Sequence, residues 1–275
     1  MSRTGPRWGR DLVDRVGDAI RETSAEVIEP RFAALSPTEV RSKAAGELVT
    51  VADVDAERLL TRRLTDLLPA AAVVGEEACA TDPTLLESLW SAQAWLIDPL
   101  DGTANFVEGR PDWAVMVALC EEGRTVASWI WQPTSQTMYT AEAGGGATRN
   151  GAAVTVTPRG QPPAGLRGAV LARFLPPSVS AAVDAGRERF AAVTAGRRCA
   201  GFEYPAVVDG GQDFVLFWRT LPWDHAAGVL LLQEAGGVAR RLDASAYRPT
   251  ATAEGLLAAA QPCVWDSVRA GLLAC

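Results

Sequence analysis

The chain has 275 residues, of which 48% are hydrophobic and 21% charged, a composition typical of a folded protein rather than a disordered one. The formal net charge is −7 and no block of Lys and Arg stands out, so we expect no nucleic-acid partner. No apolar run approaches the roughly 18 residues of a membrane-spanning helix, and no secretory leader is evident, so we predict a cytoplasmic protein without a membrane partner.

The cysteine and histidine counts limit the catalytic mechanisms that the chain can use. Five cysteines are scattered along the chain without a C-x-x-C pair, which predicts reduced, structural thiols. His225 is the single histidine, so mechanisms that need two histidines are excluded by count. An acidic chain repels an anionic substrate unless bound cations reverse the potential locally.

The first half of the chain predicts two helices followed by strands. Apolar residues at helical spacing indicate an amphipathic helix over 12–28, ending before Pro30, and a second helix from about Ala52 to Leu68. Short apolar runs at Ala71–Val74 and Ala94–Ile97 predict buried strands. Three further segments predict a β-meander: Trp113–Cys120, Thr125–Trp131 and Thr137–Ala141.

A cluster of turn residues divides the chain. Gly144–Gly146 and Asn150-Gly151 predict tight turns, and the stretch 158–165 is rich in Pro and Gly. We therefore predict an N-terminal α+β domain over 1–145, carrying the main metal-binding motif, and a C-terminal α/β domain over 146–275.

The elements predicted in the second half are a strand at Ala169–Ala172, a helix from about Ser178 to Val193, a strand at Asp213–Trp218, a helix from about Trp223 to Ala235, a strand at Leu256–Ala260 and a C-terminal helix carrying Trp265. Strands and helices without a strict βαβ rhythm favour a layered α+β architecture over a Rossmann sheet.

The segment 98–103, Asp-Pro-Leu-Asp-Gly-Thr, follows a predicted buried strand and carries the main chemical signal. Asp98 lies where the strand ends, and the turn lets Asp98 and Asp101 converge on one point. Gly102 leaves room for a ligand beside the backbone. Thr103 opens a helix whose free N–H groups favour an oxyanion such as phosphate.

Three companion segments also place a carboxylate between an apolar run and a turn or helix start: Val49–Asp53, Gly75–Glu77 and Pro222–Gly228. Each has an ordinary structural interpretation by itself. Asp53 with Thr50 forms a capping-box pattern, Glu76-Glu77 can be a solvated pair, and Asp224 can be a helix N-cap. The four segments together favour a joint site. Asp and Glu oxygens without Cys or His ligands select hard cations, Mg²⁺ before Mn²⁺ or Ca²⁺.

These motifs resemble those of the inositol monophosphatase superfamily, which also contains the fructose-bisphosphatases and bisphosphate nucleotidases. The matching segments are G-E-L-V-T-V-A-D (46–53), G-E-E (75–77), W-L-I-D-P-L-D-G-T-A-N-F (95–106), W-D-H-A-A-G (223–228) and E-A-G-G (234–237). The resemblance covers nearly the whole chain. It implies a layered αβαβα sandwich, the sugar-phosphatase fold, in a protein that is usually a homodimer.

The resemblance also implies roles for individual residues. Two or three Mg²⁺ ions would be held by Glu76, Asp98, the Leu100 carbonyl, Asp101 and Asp224. Asp53 and Thr103 would orient a metal-activated water for in-line attack on phosphorus, with Glu77 assisting through a neighbouring water. The substrate would be bound by Asp101, Gly102, Thr103, Ala200, Phe217, Trp218, Arg219 and Asp224. The activity implied is hydrolysis of a small phosphorylated metabolite of the inositol-phosphate or sugar-phosphate type, sensitive to Li⁺ and without a covalent phosphoenzyme.

The chain departs from the family pattern around the substrate. Phe217 stands where inositol-type members carry a Glu, and Arg198-Cys199 replaces the usual G-[ST] step before Ala200. We therefore hypothesise a non-standard substrate with an apolar or stackable portion, and Arg219 as the reader of a second anionic group. The alternative interpretation is that Phe217 and Trp218 are core residues of a strand.

Three other functions are weighed against this one. A haloacid-dehalogenase-type phosphatase also uses a D-G-T motif, but its two aspartates are two residues apart near the N-terminus and it forms an aspartyl-phosphate. A 3′(2′),5′-bisphosphate nucleotidase is the main rival within the family. A non-catalytic metal-binding or interaction protein would be expected to lack one of the key residues, yet all of them are present.

Overall fold

The computed structural model describes residues 9–44, 47–157, 163–251 and 253–273. Over these ranges the elements form five layers in the order helix, sheet, helix, sheet, helix. The predicted α+β class and the layered αβαβα sandwich are therefore confirmed. None of the described helices is long and apolar enough to cross a membrane. Predictions that involve Gly46, residues 158–162 and Cys275 fall outside the described residues.

The first sheet has seven strands that follow one another in sequence order. They are β3 (Ala72–Gly75), β4 (Ala94–Asp101), β5 (Ala114–Glu121), β6 (Arg124–Gln132), β7 (Thr137–Glu142), β8 (Gly146–Arg149) and β9 (Ala152–Val154). Only the β3–β4 pair is parallel; the other pairs are antiparallel hairpin neighbours. Every residue of β4 is buried, as expected for a strand covered on both faces. The predicted strands and meander are confirmed.

Helices α1 (Gly9–Thr23) and α2 (Val51–Leu67) cover the outer face of this sheet. The amphipathic stripe predicted from residue 12 onward continues past α1 as one π-helical turn, Ser24–Ile28, before Pro30. Thr50 is the N-cap of helix α2, and its hydroxyl accepts the N–H of Ala52. A short hairpin of β1 (Val40–Ala44) and β2 (Glu47–Thr50) leads into α2 and was not predicted from the sequence.

Helices α6 (Ala200–Val208) and α7 (Pro222–Glu234) form the central layer. Helix α7 packs against strands β4 to β7 of the first sheet and against the second sheet, which explains why its apolar residues surround it. The two helices are in close contact, because a Cβ added at Gly228 would lie 2.0 Å from the Tyr204 ring. The buried helix predicted over Trp223–Ala235 is thus confirmed.

The second sheet has the strand order β11-β10-β12-β14-β13. Its strands are β10 (Arg167–Val170), β11 (Ala192–Thr194), β12 (Phe214–Phe217), β13 (Val238–Arg241) and β14 (Leu256–Ala259). Helices α5 (Pro177–Gly186) and α8 (Pro262–Leu272) cover its outer face. A separate apolar core lies between this sheet and these helices, with Trp265 and Phe214 fully buried.

The helix predicted from Ser178 to Val193 is wrong in its second half. Helix α5 ends at Gly186, where a Cβ would lie 2.5 Å from the Gly271 carbonyl oxygen of α8. The chain then makes a 3₁₀ turn and enters strand β11. The end of α5 thus coincides with a close contact between two helices, and the apolar pattern of the segment does not reveal it.

The first sheet continues beyond residue 145 through β8 and β9, which pair with each other and with β7. The central helices pack on both sheets. The division of the chain at residue 145 stays a prediction.

Candidate active site

The ends of the two parallel strands bring the first acidic residues together. In the β3–β4 register Gly75 lies opposite Ile97, so the residues that follow, Glu76 and Asp98, emerge side by side. Glu76 opens the short helix α3 (Glu76–Thr81). A lone parallel pair at the edge of an otherwise antiparallel sheet thus places two distant segments at one point.

The Asp98–Thr103 segment is shaped by a break in strand pairing. The register of β4 against β5 shifts between Asp98 and Asp101, and the Leu100 N–H donates to Asp98 Oδ1 at 3.0 Å. Gly102 has a φ of +85°, and a Cβ there would lie 2.8 Å from a backbone carbonyl oxygen. Glycine is therefore required at the turn that leads into helix α4 (Thr103–Val107).

Thr103 and Asp53 are joined directly. The Thr103 hydroxyl lies 3.1 Å from Asp53 Oδ1 and 3.0 Å from the Leu100 carbonyl oxygen. Asp53 Oδ2 accepts the N–H and the hydroxyl of Thr50, at 2.8 Å and 2.6 Å. The two interpretations of Asp53, as a helix cap and as a site residue, are therefore compatible. Burial raises the pKa of Asp53 to about 6, against the lowering effect of the Thr50 hydrogen bonds.

Asp101 is fixed by the start of α6. Its Oδ2 accepts the Gly201 N–H at 2.6 Å and the Cys199 thiol at 2.9 Å. Burial raises the pKa of Asp101 to about 6, and these two hydrogen bonds oppose the rise. Ala200 lies between the two donors and is itself buried. The R-C-A-G segment therefore holds a site carboxylate from the second half of the chain.

The site concentrates negative charge in a buried volume. Burial raises the pKa of Asp98 well above its usual range, and three neighbouring carboxylates raise it further, those of Glu76, Asp101 and Asp224. Burial has the same effect on the pKa of Asp224, in the first turn of α7, and Glu76 and Asp101 add to it. The four carboxylates therefore act on one another electrostatically, although they come from three separate segments.

Lys43 provides a positive charge at the edge of this cluster. Its ammonium group lies 3.0 Å from Glu76 Oε1 and also contacts Glu77. Burial raises the pKa of Glu77 to about 7, and the hydrogen bond from Lys43 opposes this. Sequence reasoning missed Lys43, which precedes the V-T-x-x-D motif on the β1–β2 hairpin.

The ligand atoms that these residues offer suit a hard divalent cation, but the side chains are not arranged as a complete metal site. Across the described part of the chain, no three His, Cys, Asp or Glu side chains are arranged so that they could hold a metal ion. The side chains that cluster here nevertheless offer only oxygen ligands, and their mutual repulsion is what bound cations would relieve. Mg²⁺ suits this donor set.

Glu57 is a second residue that sequence reasoning missed. It lies one helical turn after Asp53 on α2 and is 6% exposed. Its carboxylate accepts the N–H of Glu77 at 2.7 Å and of Ala78 at 2.8 Å. Gly75 leaves room for it, since a Cβ there would lie 2.2 Å from the Glu57 carboxyl carbon. Glu57 thus fixes the segment that carries Glu76 and Glu77, and its i+4 spacing from Asp53 was the available signal.

The structure separates the residues predicted to contact substrate. Phe217 is 3% exposed and stacks on Tyr204, with ring centroids 5.1 Å apart, so it lies in the core as the alternative interpretation held. Trp218 is half-buried and its indole N–H donates to Glu254 at 2.8 Å. The Arg219 guanidinium pairs with Glu47 and lies over the Phe174 ring.

His225 is a buried structural residue. Its Nε2 lies 3.0 Å from the Arg219 carbonyl oxygen, which can only accept, so Nε2 carries the proton. Nδ1 then accepts the Tyr204 hydroxyl at 3.0 Å. Burial lowers the pKa of His225 to about 4, so the ring is neutral near pH 7.

The cysteines of the described ranges are free thiols. Cys79, Cys120 and Cys199 are buried and Cys263 is exposed.

The sequence of the chain was compared with known families and proteins. The model of the inositol monophosphatase family matches residues 11–273. An inositol-1-monophosphatase of Mesorhizobium japonicum is 33% identical over 228 residues, which cover 77% of this chain and 79% of that protein. Nus factor SuhB of Vibrio cholerae is 32% identical over 208 residues, covering 71% of this chain and 72% of that protein.

Solved structures share the fold. An inositol monophosphatase of Zymomonas mobilis superposes with a TM-score of 0.80 at 22% identity, covering 97% of this chain and all of that one. The suhB protein of Bartonella henselae gives a TM-score of 0.79 at 23% identity, with 95% and 98% covered. Because the family model and the relatives above 30% identity span most of the sequence, the chain belongs to the inositol monophosphatase family.

Proposed function

We propose that the protein is a Mg²⁺-dependent phosphomonoesterase that hydrolyses a small phosphorylated metabolite. Membership of the family supports a phosphatase. The observation that carries the finer proposal is the hydrogen bond from Thr103 to Asp53, placed beside the buried carboxylates of Asp98 and Asp101. A hydroxyl held by a carboxylate next to a cation-demanding cluster suits water activation.

In this proposal the metal ligands are Glu76, Asp98, the Leu100 carbonyl, Asp101 and Asp224, for two or three ions. When bound, Mg²⁺ supplies charge neutralisation for the phosphate and the leaving oxygen and makes water more nucleophilic. Lys43 contacts Glu76 and Glu77 in this structure, so it supplies part of the charge balance that the carboxylates need.

The protein groups would then act as follows. With the Leu100 carbonyl used as a metal ligand, the Thr103 hydroxyl would donate its one hydrogen bond to Asp53, which leaves the oxygen lone pairs of Thr103 free to accept a hydrogen bond from the attacking water. Asp53 is held in turn by Thr50, so the acceptor cannot rotate away. Glu77 would assist through a neighbouring water, and the backbone N–H groups of Gly102 and Thr103 would hold phosphate oxygens.

The test is phosphate release from a panel of phosphomonoesters, measured with Mg²⁺ and with excess chelator. We expect turnover that requires the metal, decreases with Li⁺ and leaves no acid-stable phosphoenzyme. A trapped aspartyl-phosphate would contradict the water mechanism. The panel includes inositol 1-phosphate and adenosine 3′,5′-bisphosphate, because a 3′(2′),5′-bisphosphate nucleotidase is the alternative activity.

A non-catalytic interaction role is the second candidate, because one of the relatives carries the name Nus factor. It predicts no turnover on any ester of the panel, although the predicted site residues are all present. We also propose a cytoplasmic homodimer, which sedimentation at micromolar concentration would test.

A further inference from the structure

An exposed aromatic ring lies among cationic groups on the loop after β10. Phe174 is 38% exposed, which is unusual for a large apolar residue of this protein. The Arg219 guanidinium carbon lies 4.2 Å from its ring centroid and that of Arg173 lies 4.8 Å away. Two guanidinium groups on one ring form a local positive patch in a chain whose net charge is −7.

The backbone around Arg219 is held firmly. Its carbonyl accepts the His225 Nε2–H at 3.0 Å, and the Trp218 carbonyl accepts the Gly255 N–H at 2.8 Å. The indole of Trp218 is bonded to Glu254, and Thr220 donates to the Ala253 carbonyl at 2.8 Å. The loop between β12 and α7 therefore presents Arg219 from a fixed position, rather than on a loose segment.

Arg219 lies on the loop that leads into α7, and its carbonyl oxygen is bonded to His225, the neighbour of the proposed metal ligand Asp224. The Arg219 side chain is 34% exposed and pairs with Glu47 of the β1–β2 hairpin. Burial lowers the pKa of Arg219 and the charge of Asp224 raises it, so the two charges interact. A guanidinium has five N–H donors and one carboxylate satisfies two of them, which leaves capacity for a further anion.

We propose that Arg219, stacked on Phe174 and supported by Arg173, forms a subsite for a second anionic group of the substrate, a carboxylate or a second phosphate. Glu47 is the internal counter-ion that this group displaces. The inference rests on the proposed phosphatase function. The proposed subsite takes the place of the substrate contact that was predicted for Phe217, because the Phe217 ring stacks on Tyr204 in the core.

The experiment uses two matched pairs of phosphomonoesters. Glycerol 3-phosphate is compared with 3-phosphoglycerate, which carries a carboxylate in place of a hydroxymethyl group. Adenosine 3′-monophosphate is compared with adenosine 3′,5′-bisphosphate. We expect at least one second-anion substrate to have a kcat/KM about tenfold above its partner, since charge-assisted hydrogen bonds are the strong ones. The pair that shows the preference identifies the anion as carboxylate or phosphate.

Three variants test which residues cause the preference for a second anionic group. Arg219→Gln is expected to reduce the ratio within the pair to about one, and Arg219→Lys to keep part of it, because the charge remains but the planar fork is lost. Glu47→Gln is expected to raise the ratio a few-fold by removing the competing carboxylate. Arg240→Gln is the matched control, an exposed arginine near the Trp265 ring in the outer layer, and it should leave the ratio unchanged.

A ratio near one in the unmodified protein for both pairs, or a ratio that survives Arg219→Gln, would overturn the subsite. Failure of the phosphatase function is a different result, namely no phosphate release from any member of either pair. In that case calorimetric titration with glycerol 3-phosphate and 3-phosphoglycerate decides the matter. Tighter binding of 3-phosphoglycerate that disappears in Arg219→Gln supports the subsite, and equal binding overturns it.

Discussion

The two sides of the candidate site are built differently. On the side of the proposed metal chemistry, Asp53, Asp98 and Asp101 are buried and hold fixed hydrogen bonds to backbone groups or to short side chains. On the side of the proposed substrate subsite, Arg219 and Phe174 are partly exposed and meet through long side chains. We expect the catalytic chemistry in the first region and the recognition of the substrate in the second, because exposed binding groups can change without loss of the scaffold.

The two sides differ because buried carboxylates and partly exposed side chains are under different physical constraints. A buried carboxylate is tolerated only where hydrogen bonds or cations compensate its burial, so its neighbours are strongly constrained. A partly exposed ion pair contributes little to stability, so its members can change without loss of the fold. We therefore expect substitutions on the two sides to separate catalysis, metal affinity, specificity and stability.

The largest effect is expected from Asp98→Asn. Removing a proposed metal ligand should lower kcat/KM by roughly a thousandfold, because metal catalysis supplies several kcal/mol and each 1.4 kcal/mol is about tenfold. The same substitution removes one of four mutually repelling carboxylates, so the metal-free protein should melt at a higher temperature. Calorimetry in chelator and rates in Mg²⁺ check both. Lower thermal stability together with retained activity would contradict the assigned role.

Thr103→Val should reduce kcat about a hundredfold with a small change in KM, because the isosteric side chain cannot orient water. Thr103→Ser is the matched control and should retain most activity, since it keeps the hydroxyl that reaches Asp53. The measurement is steady-state kinetics in saturating Mg²⁺. If the valine variant were as active as the serine variant, the hydroxyl would have no role in water activation.

Glu57→Gln tests whether Glu57, which is not a proposed metal ligand, holds the segment of Glu76 and Glu77 in position. A glutamine oxygen can accept one of the two N–H groups of Glu77 and Ala78, while its NH₂ group opposes the other. We expect the Mg²⁺ concentration for half-maximal rate to rise about tenfold, with a smaller effect on kcat. A change of this size is typical when a residue that orients a metal ligand is lost.

The control for Glu57→Gln is Asp66→Asn, an exposed carboxylate on the same helix. It should leave both the Mg²⁺ dependence and kcat unchanged. A Glu57→Gln variant that loses stability but keeps its Mg²⁺ dependence would show that Glu57 has a structural role alone.

The sequence alone places the residues on the buried side of the candidate site, and their roles stay a prediction. Asp98, Asp101 and Thr103 follow from a strand, a turn and a helix start within one short segment, and local chain geometry decides their positions. The layers were also predictable, because apolar residues cover most of the circumference of helix α7, which suits a position between two sheets.

The partners that join distant segments could not be predicted in the same way. Lys43 and Glu47 reach their partners through packing of a hairpin against other segments, and no local pattern encodes such contacts. Glu57 had one local signal, its i+4 spacing from Asp53 on α2, but its contact with the Glu77 backbone depends on the packing of that helix. Helix α6 was missed because Pro205 and Gly201 interrupt its pattern, although burial between the two sheets stabilises it.

The smallest effect on activity is expected from Phe217→Leu, which sharpens the comparison between a core ring and a surface ring. Leucine loses the stacking with Tyr204 and leaves part of the volume empty, so the free energy of unfolding should fall by about 1–2 kcal/mol. Because Phe217 is 3% exposed, KM for any substrate should change by less than about twofold.

Phe174→Leu is the matched comparison, because the same change of side chain is made at a ring that is 38% exposed. Its stability should be nearly unchanged, whereas the preference for a second anionic group should decrease by a few-fold as Arg219 loses its stacking surface. Urea unfolding and the two substrate pairs measure both variants. If instead Phe217→Leu raised KM without loss of stability, the ring at position 217 would contact substrate, and the separation between a core ring and a recognition surface would fail.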